Sequence, residues 1–270
     1  MTERSNQINQ INNKPLEYGM HPFTHIISAK IGSGKTYYLM DLIKRHYLNH
    51  SEKIYVFCPT VNMDNKWDEL SNLNNSKKLL KKEKDQDHDQ EYKESNYIVY
   101  DNEDEYDVKL KELYESYLHH NMIFDEDFKM YKKINDTEPP KTLIIFDDCS
   151  GVKEITHGNT IQKLIRKSRH LNISIIYAIQ DIRGVHPSIR NNTRLLTLFK
   201  SFNEEELIKV YEAFTLPTTK KNFIKVLFDI FNNYDKFNNT NLDRPIIVFN
   251  NQNKNTNEIA MLLQHGFINF

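Results

Sequence analysis

The stretch Ala29-Lys30-Ile31-Gly32-Ser33-Gly34-Lys35-Thr36 constrains this chain more than any other. An apolar segment over residues 23–28 runs straight into it, and residues 36–47 follow with Leu39, Leu42, Ile43 and Tyr47 at helical spacing. A strand, a glycine turn and a helix are the setting in which G-x-x-x-x-G-K-[ST] folds around phosphate. Gly32 and Gly34 let the backbone turn its N–H groups inward on an anion, and the helix start adds positive potential. In that geometry Lys35 reaches the β- and γ-phosphates and the Thr36 hydroxyl ligates Mg²⁺. Lys30, Ile31, Gly32, Ser33, Gly34, Lys35 and Thr36 are therefore the candidate nucleotide-binding set, with Thr36 also a metal ligand. Ala29 stands where the pattern has its first glycine; the two glycines nearest the phosphates are kept.

The rest of the chain alternates in the same way. Short apolar runs at 54–57, 97–100, 142–146, 173–179, 195–199 and 246–249 read as strands. Helical spacing appears over 108–118, 161–171, 204–214, 220–231 and in a closing helix near 258–264. The runs at 142–146 and 173–179 are apolar almost throughout, as strands buried on both faces are. Alternation with short connections predicts an α/β fold: a mostly parallel sheet with helices on both faces. Residues 1–18 are expected to form a flexible tail and 19–270 a single domain, with 71–95, rich in Lys, Asp, Glu, Gln and Asn, as a charged surface insertion.

Leu143-Ile144-Ile145-Phe146-Asp147-Asp148 ends a buried strand on two acids. Successive strand side chains alternate, so the two carboxylates can do different jobs. Asp147 suits Mg²⁺, directly or through water, and Asp148 suits a base for an attacking water. Gln180, the first polar residue after 173–179, would touch a γ-phosphate or that water, or simply close a strand end. Arg166, Arg169, Arg190 and Arg194 bracket the same strand; such arginines form a solvated face or supply charge to a neighbouring subunit's transition state. The histidines are scattered and show no metal-ligand spacing.

Composition narrows the partners. Lys and Arg total 36 and Asp and Glu 37, a formal net charge of −1, so this surface does not coat nucleic acid all over. Any nucleic-acid contact has to come from local basic groups repeated by symmetry; Arg183, Lys220 and Lys221 offer such groups, although Lys220-Lys221 also reads as a solvated helix start. No apolar run reaches the roughly 18–20 residues of a bilayer-spanning helix, and the polar residues 1–13 do not read as a secretory signal. Two cysteines, Cys58 and Cys149, exclude a disulfide scaffold and suit a reducing compartment.

Taken in order, the loop Lys30–Thr36, the pair Asp147-Asp148 and the run from Arg166 through Arg169 to Gln180 resemble the FtsK/HerA superfamily of DNA-pumping ATPases. Within it the chain is similar to the poxvirus-type genome-packaging ATPases of large DNA viruses and virophages. Val56-Phe-Cys-Pro-Thr60 resembles that family's second strand and turn, and Pro187-Ser-Ile-Arg190-Asn-Asn the segment after its Gln. The likeness spans about residues 23–200, without 71–95. It implies a P-loop NTPase fold of the RecA/ASCE type and an ATP-driven double-stranded DNA translocase that fills a preformed capsid as a homo-oligomeric ring. ATP and Mg²⁺ are the implied cofactors, and capsid vertex proteins implied partners. The implied location is the host cytoplasm or viral factory, with association to the virion. The resemblance makes Asp147 the metal ligand, Asp148 the base and Gln180 the γ-phosphate sensor. It makes Arg169 the first trans-acting arginine and Arg190 the second. Asp148 stands where many relatives carry Glu, which shortens its reach to the water. A HerA-like helicase or plasmid-transfer motor shares these motifs, and a nucleotide-gated switch or scaffold shares the loop without needing Asp148.

Overall fold

The computed structural model describes residues 21–48, 50–63, 67–70, 97–120, 122–125, 130–133, 137–199, 203–214, 219–237, 246–250, 260–263 and 266–268. The expected tail and the charged insertion at 71–95 lie outside the described residues. In chain order, β1 (Thr24–Ser28) leads through the glycine loop to α1 (Lys35–Leu42), which widens into a π-turn over Ile43–Tyr47. β2 (Lys53–Phe57), β3 (Tyr97–Tyr100), α2 (Tyr106–Leu118) and the hairpin of β4 (Met122–Asp125) and β5 (Met130–Lys133) follow. Then come β6 (Thr142–Asp147), α3 (Lys153–Thr156), α4 (Asn159–Lys167), β7 (Ile173–Ile179), α5 (Pro187–Asn191) and β8 (Leu195–Phe199). α6 (Glu204–Ala213), α7 (Lys220–Phe237), β9 (Ile246–Asn250), β10 (Ala260–Leu263) and β11 (Gly266–Ile268) complete the set.

The main sheet runs β11-β10-β9-β8-β1-β7-β6-β2-β3. From β8 to β3 every pairing is parallel, and β9, β10 and β11 extend the β8 edge antiparallel. β1, β6, β7 and β8 are buried along their whole length, as near-continuous apolar runs require. Alternation sorts their side chains into two cores. Ile26, Phe57, Phe146 and Tyr177 pack with α2, α4, α6 and α7 on one face. Ile27, Val56, Ile145 and Ala178 pack with α1 and its π-turn on the other. A mostly parallel sheet covered on both faces is the expected α/β class.

The closing helix expected near 258–264 is instead the strand β10, paired antiparallel with β9 and β11. A run as short as Ala-Met-Leu-Leu fits either period, and the open edge of β9 offers its backbone partners. The hairpin β4–β5 was not expected from the sequence. α4 stops at Lys167 rather than running to 171, because the chain turns back into β7 through Asn172 at φ 55.

Register decides what meets at the carboxyl-terminal edge of the sheet. Ser28 pairs with Ile179, Phe57 with Phe146 and Asp147 with Ala178, so β1, β2, β6 and β7 end side by side.

Candidate nucleotide site

The loop after β1 holds itself in shape without a ligand. Ser33 donates to the Lys30 carbonyl through its backbone N–H at 3.2 Å and its hydroxyl at 2.6 Å. Gly32 (φ 72) and Gly34 (φ 87) adopt the left-handed backbone that glycine takes without steric penalty. Gly34 is the residue from which α1 starts. Ala29 is buried, its N–H bonded to the Ile179 carbonyl at 3.0 Å, so the missing first glycine sits in the sheet and not in the turn. The Lys30 side chain points away from the loop to an ion pair with Glu206 of α6 at 3.0 Å, and Ile31 is 83% exposed. Those two residues can face a phosphate with their backbone only.

Lys35 folds back over the loop, and its Nζ donates to the Ala178 carbonyl at the end of β7, 3.3 Å away. The Thr36 hydroxyl donates to Asp147 Oδ2 at 3.1 Å. Asp147 is buried, and burial pushes its carboxyl up to about 6 while Lys35 pulls the other way. Its Oδ1 is buried with no partner among the described residues. A hydroxyl and an orphaned carboxylate oxygen are the hard oxygen donors that Mg²⁺ takes, so the residues present fit that ion. Among the described residues no cluster of three or more His, Cys, Asp or Glu is grouped to hold a metal by itself.

Asp148 (φ 58) leaves the strand in the left-handed region, which separates its carboxylate from that of Asp147. Gln180 Nε2 donates to Asp148 Oδ1 at 3.4 Å and Thr60 Oγ1 to Oδ2 at 3.5 Å. Lys35, Thr36, Asp147, Asp148 and Gln180 are thus brought together. Reading the sequence missed Thr60. No local signal marks it, because its place beside the acid pair depends on β2 lying next to β6 in the sheet. The thiols beside the site are held neutral by burial: Cys58 is pushed up to about 11, and Cys149 donates to the Phe57 carbonyl at 3.2 Å.

The arginines do not join this site. Arg166, Arg169 and Arg194 line a pocket of about 200 Å³ with His170 and Asn192, at the start of β1 and therefore at the opposite edge of the sheet. No carboxylate lines it among the described residues. Burial and the charge of Arg169 both depress the Arg194 pKa. Arg190 is elsewhere, tied to its own chain by a bond from Nη1 to the Val185 carbonyl. Arg183 and Lys220, read as DNA-contact candidates, share Glu212 as a partner at 2.5 and 3.0 Å.

Residues 1–174 match the family described as Type III restriction enzyme, res subunit, and residues 116–253 match the family described as Poxvirus A32 protein. Uncharacterized protein 075L of Invertebrate iridescent virus 6 is 29% identical over 75 residues, 28% of this chain. Uncharacterized protein 015R of Frog virus 3 is 25% identical over 92 residues, 34% of this chain. The match spans 29% of the length of each of these relatives. In fold the chain is similar to B204, the DNA-packaging ATPase from Sulfolobus Turreted Icosahedral Virus, at a TM-score of 0.53 and 14% identity, covering 92% of this chain and 100% of that one. The genome packaging NTPase B204 of Sulfolobus turreted icosahedral virus 2, in complex with sulfate, gives 0.50 and 14%, covering 89% and 95%. The P-loop NTPase fold is therefore secure. The A32 match takes in the acid pair, Arg166, Arg169, Arg194, Gln180 and the strands β4 to β9, and the chain belongs to the Poxvirus A32 protein family.

Proposed function

We propose that this chain is an ATPase that drives double-stranded DNA into a preformed viral capsid as a homo-oligomeric ring. The observation that carries the reading is the convergence of Lys35, Thr36, Asp147, Asp148 and Gln180 at one sheet edge while Arg166, Arg169 and Arg194 gather at the other. The packaging function named for the two B204 proteins of similar fold supports DNA as the cargo.

The loop N–H groups and the start of α1 cradle the phosphates, and Lys35 exchanges the Ala178 carbonyl for the β- and γ-phosphates. Thr36 and the free Oδ1 of Asp147 would hold Mg²⁺. When bound, that ion neutralises charge on the phosphates. Asp148 accepts the proton of the attacking water, and Gln180, already on its carboxylate, aligns water and γ-phosphate. Arg169 faces away from its own nucleotide, so the charge it supplies goes to a neighbouring subunit's site.

The test is steady-state ATP hydrolysis with and without linear double-stranded DNA, for wild type, Lys35→Ala and Asp148→Asn. Stimulation by DNA that both substitutions abolish is expected. Turnover indifferent to DNA would overturn the motor reading, and turnover surviving in Asp148→Asn would overturn the assignment of the base.

A further inference from the structure

Asp148 is a short base held in an unusual place. Its left-handed backbone takes its side chain out of the strand's alternation. The carboxylate then lies between donors from the two strands that flank β6: Thr60 beyond β2 on Oδ2 and Gln180 beyond β7 on Oδ1. Thr60 is itself well anchored. Its carbonyl accepts the Met63 N–H at 2.9 Å, and the Val61 N–H bonds to the Cys58 carbonyl at 3.2 Å. Asn62 Nδ2 reaches Asp101 Oδ2 at 2.7 Å, which pins the turn to the end of β3. Cys149 Sγ donates to the Phe57 carbonyl, tying the segment after the acid pair to the end of β2.

We infer that Thr60 is a positioning residue for ATP hydrolysis, acting through Asp148, an inference that rests on the function proposed above. One long donor contact on each oxygen, at 3.4 and 3.5 Å, steers the plane and direction of the carboxylate, and Thr60 Oγ1 can accept from Cys58 Sγ at 3.5 Å while it donates to Asp148. A carboxylate has about four lone-pair positions, so each oxygen keeps room to accept the proton of water. A hydroxyl orients the base without competing for that proton, since it does not ionise in the working range. The dependence is sharpest for Asp, whose carboxylate is one methylene nearer its backbone than that of Glu and cannot reach the water from many orientations.

Thr60→Val keeps the β-branched shape and removes the donor, Thr60→Ser keeps the donor, and Thr60→Ala removes both. With melting temperature as the check on folding, kcat for ATP in Val and Ala is expected to fall about tenfold, the worth of one hydrogen bond to a charged group. KM and the affinity for a fluorescent ATP analogue stay unchanged, and Ser recovers most of kcat. Thr60→Val added to Asp148→Asn costs nothing further. Unchanged or raised kcat, a rise in KM in step with any loss of kcat, or a Ser variant as slow as Val overturns the role of Thr60. Wild-type turnover in Asp148→Asn sinks the base assignment instead. An inactive Asp148→Asn beside a fully active Thr60→Val refutes only the role of Thr60.

Discussion

His25 is the second residue of β1, three residues before the strand ends and the phosphate loop begins, and it is completely buried. Its Nε2 meets Thr197 Oγ1 of β8 at 2.8 Å, and its Nδ1 has no partner among the described residues. Burial pushes its pKa from 6.5 down to about 3. Between those values the unfolded chain binds a proton that the folded chain refuses, so stability is intact above pH 6.5 and is lost as pH falls. The slope is about 1.4 kcal/mol per pH unit. From pH 7.5 to pH 5 the loss is about 2 kcal/mol, a large share of the roughly 5–15 kcal/mol that holds a domain together. His25→Leu removes the titration, and the Thr197 hydroxyl keeps the Tyr38 hydroxyl at 3.5 Å. Urea denaturation of both proteins at pH 7.5, 6.5, 5.5 and 5.0 isolates the effect, because the other histidines are common to both. The variant is expected to gain about 2 kcal/mol on wild type across that range. A difference between the two that stays constant with pH would refute a neutral, proton-refusing His25.

Two further substitutions test the site. Gly34→Ala forces a Cβ onto a backbone at φ 87. It should cost about 1–2 kcal/mol and abolish nucleotide binding, read by denaturation and by a fluorescent nucleotide; a neutral result would mean that the loop does not need this turn. Arg169→Ala should abolish hydrolysis while nucleotide binding and assembly persist, and mixing it with Lys35→Ala subunits should restore some turnover; loss of nucleotide binding would remove its trans role.

The parts of the fold that sequence foretold are those with strong local punctuation. β1, the loop and α1 announce themselves through glycines between an apolar run and a helical repeat. β6 and β7 are apolar for their whole length, and strands buried on both faces leave that mark. At 258–264 the local signal was too short, and β10 exists because β9 presents an edge to pair with. The same holds for β4 and β5, whose pairing with each other no periodicity in their own four residues could disclose. Sheet order is a still longer-range property. β1 lies between β7 and β8, far from its sequence neighbour β2, and only tertiary packing decides that.

Within the site, residue types were legible and their partners were not. Lys35, Thr36 and Asp147 meet because the fold places the end of β6 close to the end of β1, one strand removed. The left-handed turn at Asp148 has no glycine to mark it, so the bond to Thr60 was invisible. The Asn203–Glu206 capping box is a local pattern, yet its second role, holding Lys30 of the phosphate loop, comes from the placement of α6. The arginines sharpen the point. All four sit near one strand in sequence, but the loop and the pocket of Arg166, Arg169 and Arg194 lie at opposite ends of the sheet. On the proposed function, one copy can complete a neighbour's site and never its own. Such a contact joins unlike surfaces, carboxyl-terminal edge to amino-terminal edge, and an interface of that kind closes into a ring or runs on as a filament.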